Sequence, residues 1–305
     1  METKRLLPIG EAGALPVMKR AGPGRRRAIV TALLLAPSTL WFVALLVMPL
    51  VVVLVFSLGE RAPAGGYQAG FTFANYLNLP ARLTAFTNTL TLAPVGTLLC
   101  LVFAYPLAYF LAVKVKRAKL MLLVLVILPF WTSFLLRTYA WIILLSGKGI
   151  PSWLAVVGIE GVRLINTPTA VLIGIVYGYL PLMVFPIYVS LERLDKRLLE
   201  AAADLYADPI ATFRRVTLPL SLPGVVTGCL LVFILLMGEY LIPQLLGGGK
   251  VFFIGNALVD LFLQSRNWPF GSAVAIALVV IMIVAVGLAT RWAKHQGATR
   301  EVSLL

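Results

Sequence analysis

The stretch AVLIGIVYGYLPLMVFPIYVS, residues 170–190, is followed directly by LERLDKRLLEAAADLYADPIATFRRVTLP, residues 191–219. The first part contains no charged residue, and a helix needs about 20 apolar residues to cross the hydrocarbon core of a bilayer. The second part is densely charged and leads into another apolar run. This alternation predicts a membrane-spanning helix followed by a polar segment outside the bilayer.

Six apolar runs of this kind occur along the chain, over residues 28–58, 86–113, 120–145, 170–190, 219–242 and 270–292. The composition agrees, because 60% of the residues are hydrophobic and 12% are charged, against about 45–50% and about 25% in soluble domains. We therefore predict an all-α polytopic membrane protein with six transmembrane helices over residues 28–292. A basic cytosolic leader, residues 1–27, precedes them, and a cytosolic tail, residues 293–305, follows. The first run is too long for the apolar part of a cleavable signal, which is about 7–15 residues.

Lysine and arginine predict the orientation of these spans. Nineteen of them lie in the leader, in the gaps after the second and fourth runs, at Arg291 near the end of the last run, and in the tail, whereas six lie in the other three gaps. Cytosolic segments carry the excess of Lys and Arg, so both termini are predicted to be cytosolic, in a bacterial inner membrane.

The same distribution excludes several functions. The formal charge of +14 is spread over gaps between apolar runs and forms no basic stripe for nucleic acid, so the lipid bilayer is the expected surrounding. The spans hold almost no ionisable side chains, and the single His295 lies in the tail. We therefore expect no catalytic residue and no metal site. The segment 247–250 lacks the first glycine and the hydroxyl of a phosphate-binding loop, so no nucleotide site is predicted in this chain.

The polar segment 191–218 is predicted to form two short helices that meet at a corner. Its apolar residues recur at helical spacing at Leu194, Leu198, Ala201, Ala202 and Leu205. An aspartate followed by a proline, residues 208–209, is typical of a helix start. Such a segment either lies on the bilayer surface or docks into the groove of a soluble partner.

The order of residues in this segment resembles the EAA loop of binding-protein-dependent ABC importers. The matching residues are Glu200, Ala201, Ala202, Leu205, Ala207, Phe213, Val216, Leu218 and Pro219. The resemblance implies a coupling helix that docks into a cleft of an ATP-binding subunit, through Glu200, Ala201, Ala202, Leu205, Tyr206, Ala207, Asp208 and Pro209. The family has glycine where this chain has Tyr206, and a tyrosine adopts a left-handed backbone only at a cost. We therefore expect either the turn or the partner groove to differ there.

Four further segments resemble the permeases of spermidine/putrescine importers: LPFWTSFLLRTY at 128–139, LERLDK at 191–196, GEYLIPQLLGG at 238–248 and NWPFG at 267–271. The resemblance implies a type I ABC importer permease fold and a polyamine substrate. The implied partners are a second homologous permease subunit, two ATP-binding subunits that use ATP and Mg, and a periplasmic binding protein; this chain itself binds no cofactor. Related importers carry aminobutyrate-like molecules or opines, so these substrates stay open. The alternative from another class is a stand-alone secondary transporter, but the sequence shows no inverted repeat.

Two charges lie inside apolar runs, Arg137 and Glu239, and such charges suggest function because lipid exposure is expensive. At ~1.5 Å per residue they lie about 25 Å and about 30 Å from the cytosolic starts of the third and fifth runs. We predict that they line the outer mouth of a substrate path. Alternatively, Arg137 extends to the surface, Glu239 ends its helix, or the two form an ion pair. Aromatic candidates for a cation path are Trp131, Tyr139, Tyr177, Tyr179 and Tyr240, and anchoring at the membrane interface is the other explanation for each.

Overall fold

The computed structural model describes residues 25–115 and 117–295. Residues 1–24 of the predicted leader, residues 296–305 of the predicted tail and position 116 lie outside the described residues.

The described chain is helical, with one short hairpin. The helices are α1 (Arg25–Phe42), α2 (Met48–Ser57), α3 (Ala74–Leu77), α4 (Leu83–Tyr109), α5 (Lys119–Trp131), α6 (Phe134–Leu145), α7 (Ile150–Val156), α8 (Pro168–Glu192), α9 (Lys196–Asp204), α10 (Pro209–Thr212), α11 (Leu218–Met237), α12 (Leu241–Leu246), α13 (Ile254–Val259) and α14 (Trp268–His295). Strands β1 (Glu60–Arg61) and β2 (Tyr67–Gln68) pair antiparallel. Wider π-helical turns occupy Val43–Val47, Phe110–Lys114, Phe213–Thr217 and Asp260–Gln264, and Leu79–Arg82 is a 3-10 turn.

Six helices within residues 25–115 and 117–295 are long and apolar enough to cross a membrane. They are Ala28–Ser57, Leu79–Lys114, Phe134–Val156, Pro168–Glu192, Pro209–Met237 and Trp268–Ala293. The predicted all-α class and the number of spans are thus confirmed. The chain divides into two compact units after Val52. The first unit contributes α1 and the first part of α2, and the second unit, described below, contains the remaining elements.

The third run differs from its prediction, because residues 120–145 are not one helix. Helix α5 ends at Trp131, and the next two residues, Thr132 and Ser133, have extended ψ angles of 154° and 131°. Pro129 lacks a backbone N–H, and the hydroxyl of Thr132 donates to the Pro129 carbonyl at 2.7 Å. The Thr132 hydroxyl thus satisfies the Pro129 carbonyl at the point where the helix stops. The span resumes at α6 and extends to Val156.

The fifth run also differs. The second of the two predicted short helices is the beginning of the fifth span, because α10, the π turn Phe213–Thr217 and α11 form one helix, Pro209–Met237. At its other end the span stops at Met237, and the chain turns before α12. Glu239 therefore lies in a break between two helices and not inside a span.

The core is formed by α4, α8 and α11, which pack against one another. The buried face of α4 is a row of small side chains at helical spacing: Ala85, Thr89, Ala93, Gly96, Cys100, Ala104 and Ala108. In lipid, apolar burial does not drive helices together, so small residues that allow close backbone approach determine where they meet. A pair of glycines four residues apart, Gly174 and Gly178, lies on α8 and faces α12: a Cβ at Gly174 would lie 2.5 Å from Leu246.

A second glycine pair, on α11, brings α11 and α8 into backbone contact. A Cβ on Gly224 would lie 2.4 Å from the carbonyl oxygen of Pro186 and 2.5 Å from the Cβ of Ser190. A Cβ on Gly228 would lie 2.9 Å from the sulfur of Met183. Sequence analysis missed this pair, although its spacing is the same as that of Gly174 and Gly178.

Ion pairs connect the elements at each end of the bundle. At the end that carries α9, the ammonium of Lys119 pairs with the carboxylate of Glu192 at 2.6 Å. At the end that carries the hairpin, the guanidinium of Arg82 pairs with the carboxylate of Asp260 at 2.7 Å. We call these the loop end and the hairpin end.

Gly224→Ala should lower the thermal unfolding temperature of the detergent-solubilised protein. Its Cβ meets backbone and Cβ atoms that cannot rotate away, and overpacking of this kind costs about 1–3 kcal/mol. Gly287→Ala, in α14, is the matched control, because a Cβ there has no heavy atom within 4 Å. Scanning fluorimetry of both variants tests this, and an equal response of the two would contradict the proposed backbone contact.

Candidate functional site

Helix α9 is fixed at both ends by its own sequence. The Asp195 carboxylate accepts from the backbone N–H of Arg197 at 3.0 Å and caps the start. At the other end, the N–H of Tyr206 donates to the Ala203 carbonyl at 2.9 Å, and that of Ala207 donates to the Ala202 carbonyl at 3.0 Å. This is the Schellman arrangement, which closes a helix with one left-handed residue.

Tyr206 is that left-handed residue, with a φ of 56°. The turn thus has the backbone that a glycine would adopt, although a tyrosine pays about 1–2 kcal/mol for it. The tyrosine side chain is 97% exposed, so contacts within the described chain do not offset this strain. The left-handed turn is retained, and the exposed ring is what differs from the family pattern.

The next helix begins as predicted. The Asp208 carboxylate accepts from the backbone N–H of Ala211 at 2.5 Å, and Pro209 occupies the first helical position. Further along, the ring of Phe213 packs edge-on against Tyr105 at 5.6 Å and Tyr109 at 6.2 Å between ring centroids. Phe213 therefore attaches the corner between α9 and α10 to the loop end of α4.

The apolar side chains of this corner are mostly uncovered. Leu205 is 81% exposed and Ile210 is 68% exposed, beside the bare ring of Tyr206. Glu200, Ala201, Asp208 and Pro209 are also exposed, and Ala207 is half-buried. Ala202 differs, because it is 8% exposed and faces the chain itself. The surface available to a partner therefore consists of the exposed members of the predicted set, without Ala202.

Glu239 is buried and its carboxylate is engaged. It is 7% exposed. One carboxylate oxygen accepts from the backbone N–H groups of Leu241 at 2.8 Å and Ile242 at 3.2 Å. The other accepts from the hydroxyl of Tyr179 on α8. The carboxylate thus caps α12 and attaches the break after the fifth span to α8, which agrees with the alternative that Glu239 ends its helix.

Arg137 lies in the first turns of α6, and the described residues provide no carboxylate partner for it. Its guanidinium carbon lies 5.3 Å from the ring centre of Phe130 and 5.5 Å from that of Phe134. Its Nε is buried without a hydrogen-bond partner in the described chain. The considered ion pair with Glu239 is therefore not formed, and two aromatic faces hold the arginine.

The five aromatic candidates do not gather around one path. Tyr177 lies beside Arg137 in a small cleft and packs edge-on against Trp141 at 5.4 Å. Tyr179 is buried with Glu239, whereas Trp131 and Tyr139 are exposed. Tyr240 lines a different space at the hairpin end.

That space is a polar cavity of about 460 Å³, and sequence analysis missed it. Besides Tyr240 it is lined by Gln244, Phe252, Asn256, Asp260 and Gln264. Three of these residues, 256, 260 and 264, recur every four positions, which places them on one face of a helix. This spacing is readable in the sequence, but the sequence analysis drew nothing from residues 251–266 beyond their place in a gap between apolar runs.

Comparison with known proteins agrees with the resemblance found in the sequence. Residues 104–298 match the family model of the "binding-protein-dependent transport system inner membrane component". The spermidine/putrescine transport system permease protein PotB of Haemophilus influenzae is 42% identical over 247 residues, which are 79% of this chain and 86% of that protein. PotB of Escherichia coli strain K12 is 42% identical over 79% of this chain and 90% of its own length.

The fold also has solved counterparts. A bacterial alginate ABC transporter, solved in complex with an alginate-pentasaccharide-bound periplasmic protein, contains a chain with a TM-score of 0.71. The two chains are 18% identical, and the match covers 88% of this chain and 96% of that one, so the likeness concerns the fold alone. The family description names one component of a transport system, which agrees with an importer subunit and not with a stand-alone transporter. This chain therefore belongs to the family of inner-membrane components of binding-protein-dependent transport systems.

Proposed function

We propose that this chain is a permease subunit of an ATP-driven importer that moves a polyamine, such as putrescine or spermidine, from periplasm to cytosol. The observation that carries the proposal is the 42% identity, over 79% of the chain, to permeases of spermidine/putrescine transport systems. The matched family model covers residues 104–298, which include the corner between α9 and α10 and the segment from Tyr240 to Gln264.

The proposed assembly contains a second homologous permease subunit, two ATP-binding subunits that hydrolyse ATP with Mg, and a periplasmic binding protein. Support for the ATP-binding partner comes from the corner around Tyr206. Leu205, Tyr206 and Ile210 form an exposed apolar group that the described chain leaves uncovered. An apolar group on a rigid capped corner fits a groove in a soluble partner. We propose Glu200, Ala201, Leu205, Tyr206, Ala207, Asp208 and Pro209 as the contact set, with Ala202 packed behind them.

The orientation belongs to the same proposal. Lys119 and Arg193 lie at the loop end, whereas Arg61, Arg82 and Arg266 lie at the hairpin end, where Arg61 donates to the Ser265 carbonyl at 2.8 Å. With nineteen Lys and Arg residues in the gaps of one side and six in those of the other, the loop end is cytosolic and the hairpin end periplasmic. Both termini are then cytosolic.

The substrate class is tested by uptake into proteoliposomes that contain the complete importer and its binding protein. We expect ATP-dependent uptake of radiolabelled putrescine or spermidine, and competition by unlabelled polyamines but not by aminobutyrate or an opine. Uptake of one of these latter solutes without uptake of a polyamine would contradict the proposed substrate. It would leave the role as an importer permease in place.

Ala203→Arg should weaken docking of the ATP-binding subunit while this chain remains folded in the membrane. Ala203 is exposed on α9, on the same helix face as the contact residue Glu200 one turn earlier. The arginine therefore does not disturb the fold of this chain, but an unpaired charge in a docking groove costs several kcal/mol. We expect uptake and binding-protein-stimulated ATP hydrolysis to fall on the order of tenfold or more.

Two controls accompany this variant. Ala81→Arg makes the same change at an exposed alanine of the hairpin end and should leave both activities unchanged. Tyr206→Gly keeps the left-handed turn but removes one ring of the contact set, so coupling should fall less than in Ala203→Arg, because Leu205 and Ile210 remain. Normal stimulated hydrolysis in Ala203→Arg would contradict docking at this corner.

Glu239→Gln should retain assembly and most of the uptake, because the amide oxygen can still accept from the N–H groups of Leu241 and Ile242. Glu239→Leu leaves these groups and the Tyr179 hydroxyl unsatisfied, at about 1.5–3 kcal/mol for each lost bond to a charged acceptor. It should lower the thermal unfolding temperature markedly. A fully assembled Glu239→Gln complex with strongly reduced polyamine uptake would instead assign the carboxylate to the substrate path.

A further inference from the structure

The cavity at the hairpin end has a wall that is fixed before any ligand enters. Asn256, 3% exposed, forms its back. The amide nitrogen of Asn256 donates to the Tyr240 carbonyl at 2.8 Å and to the Gln244 side-chain oxygen at 3.1 Å. Its amide oxygen accepts from the Phe253 N–H at 3.1 Å. These hydrogen bonds of the buried Asn256 fix the backbone of Tyr240 and Phe253 and the side chain of Gln244.

Hydrogen bonds from α4 fix a second part of the lining, the segment that carries Phe252. The Asn88 amide of α4 donates to the Phe252 carbonyl at 3.1 Å, and the hydroxyl of Thr89 accepts from the Ile254 N–H at 2.9 Å. Helix α4 therefore fixes the segment that carries Phe252 and α13. The cavity is preorganised by both of its neighbours, α12 and α4.

One carboxylate faces this space. Asp260 is the one charged residue among the described residues that line it. Its Oδ2 accepts from Arg82 at 2.7 Å, and Arg82 itself is not part of the lining. Its Oδ1 has no hydrogen-bond partner in the described chain. About a quarter of each side chain in the pair is exposed. Oδ1 can therefore accept from a second cation while Oδ2 keeps its bond to Arg82.

The other lining groups suit a protonated amine. Tyr240 offers a half-exposed ring, Phe252 a second ring, and Gln244 and Gln264 offer amide groups. Aromatic faces and a carboxylate attract an ammonium group, and the amide oxygens accept its remaining N–H bonds. The volume of about 460 Å³ is in the range of small-molecule sites. An anion would find no cationic side chain among the described residues that line the cavity.

We infer that this cavity, with Asp260, Tyr240, Gln244 and Gln264, binds an ammonium group of a short aliphatic polyamine on the periplasmic side of the chain. This inference rests on the proposed function for its substrate and its side of the membrane. The cavity is a docking point for the first charged group of the substrate as it leaves the binding protein. Glu239 does not contribute to this site, because its carboxylate already accepts from Tyr179, Leu241 and Ile242.

The test is the labelling of a cysteine at Gln264 in the complete importer. Gln264→Cys is treated with membrane-impermeant methanethiosulfonates of either charge, with the wild-type complex and its cysteines Cys100 and Cys229 as the background. Ala64→Cys, an exposed position of the hairpin that is outside the lining, is the control. We expect the cationic reagent to react about tenfold faster than the anionic one at position 264, because a cleft with one sign of charge concentrates the opposite ion.

Putrescine should then slow the labelling of Gln264→Cys in a saturable manner, and sodium chloride of equal ionic strength should not. Asp260→Asn should abolish both the charge preference and the protection. Arg82→Gln breaks the same ion pair but keeps the carboxylate, so it should preserve both. If Asp260→Asn and Arg82→Gln behave alike, the pair is structural and the inference is wrong. Absence of protection by putrescine in Gln264→Cys, with Asp260 and Arg82 unchanged, would also contradict the inference.

The proposed function is tested by uptake and not by labelling. A wild-type importer that takes up no polyamine would overturn the proposed substrate, while the labelling experiment would still decide whether the cavity binds an ammonium group. Polyamine uptake without protection at position 264 would overturn the cavity assignment alone.

Discussion

Close backbone contact between α8 and α11 is the constraint on which the rest of this structure depends. Because lipid offers no gain for apolar burial between helices, the bundle is held by contacts that only small residues permit. Gly224 lies against the Pro186 carbonyl, and the row of small side chains on α4 completes the three-helix core. The two ends of the bundle are positioned by these helices. The corner at Tyr206 projects from one end, and the polar cavity lies at the other.

Each candidate functional region contains a break in the helical backbone whose polar groups are satisfied by neighbouring residues. At the loop end, the Schellman turn and the Asp208 cap close two helix ends within five residues. At the hairpin end, the Glu239 carboxylate satisfies the first N–H groups of α12. Irregular backbone near a membrane requires such partners. A carboxylate in an apolar run can therefore serve the fold, and its burial here shows that it does.

The spans were predictable because long apolar runs and Lys/Arg asymmetry are strong signals, whereas the breaks were not. Thr132 and Ser133 are two uncharged polar residues within the apolar run 120–145, and hydropathy averaged over a window does not reveal a break at two such residues. The start of the fifth span at Pro209 was hidden because its first turns are charged. Tyr206 shows that a residue type disfavoured in a conformation can still adopt it. Asp260 escaped notice because its helix is short, although the four-residue spacing of Asn256, Asp260 and Gln264 indicated a polar face.

The helix Pro209–Met237 is one continuous element with its ends at the two regions discussed above. At ~1.5 Å per residue it is about 43 Å long, which is enough to cross a bilayer from one side to the other. It begins next to the corner at Tyr206, at the loop end. At the hairpin end it leads through Glu239 to Tyr240, which lines the cavity. Its regular α-helical hydrogen bonding is interrupted by the wider turn Phe213–Thr217 and by Pro223, and neither lies beyond the helix midpoint as seen from the corner. Bending of this helix is therefore expected on the side of the corner, whereas the part that leads to Tyr240 is the straighter one.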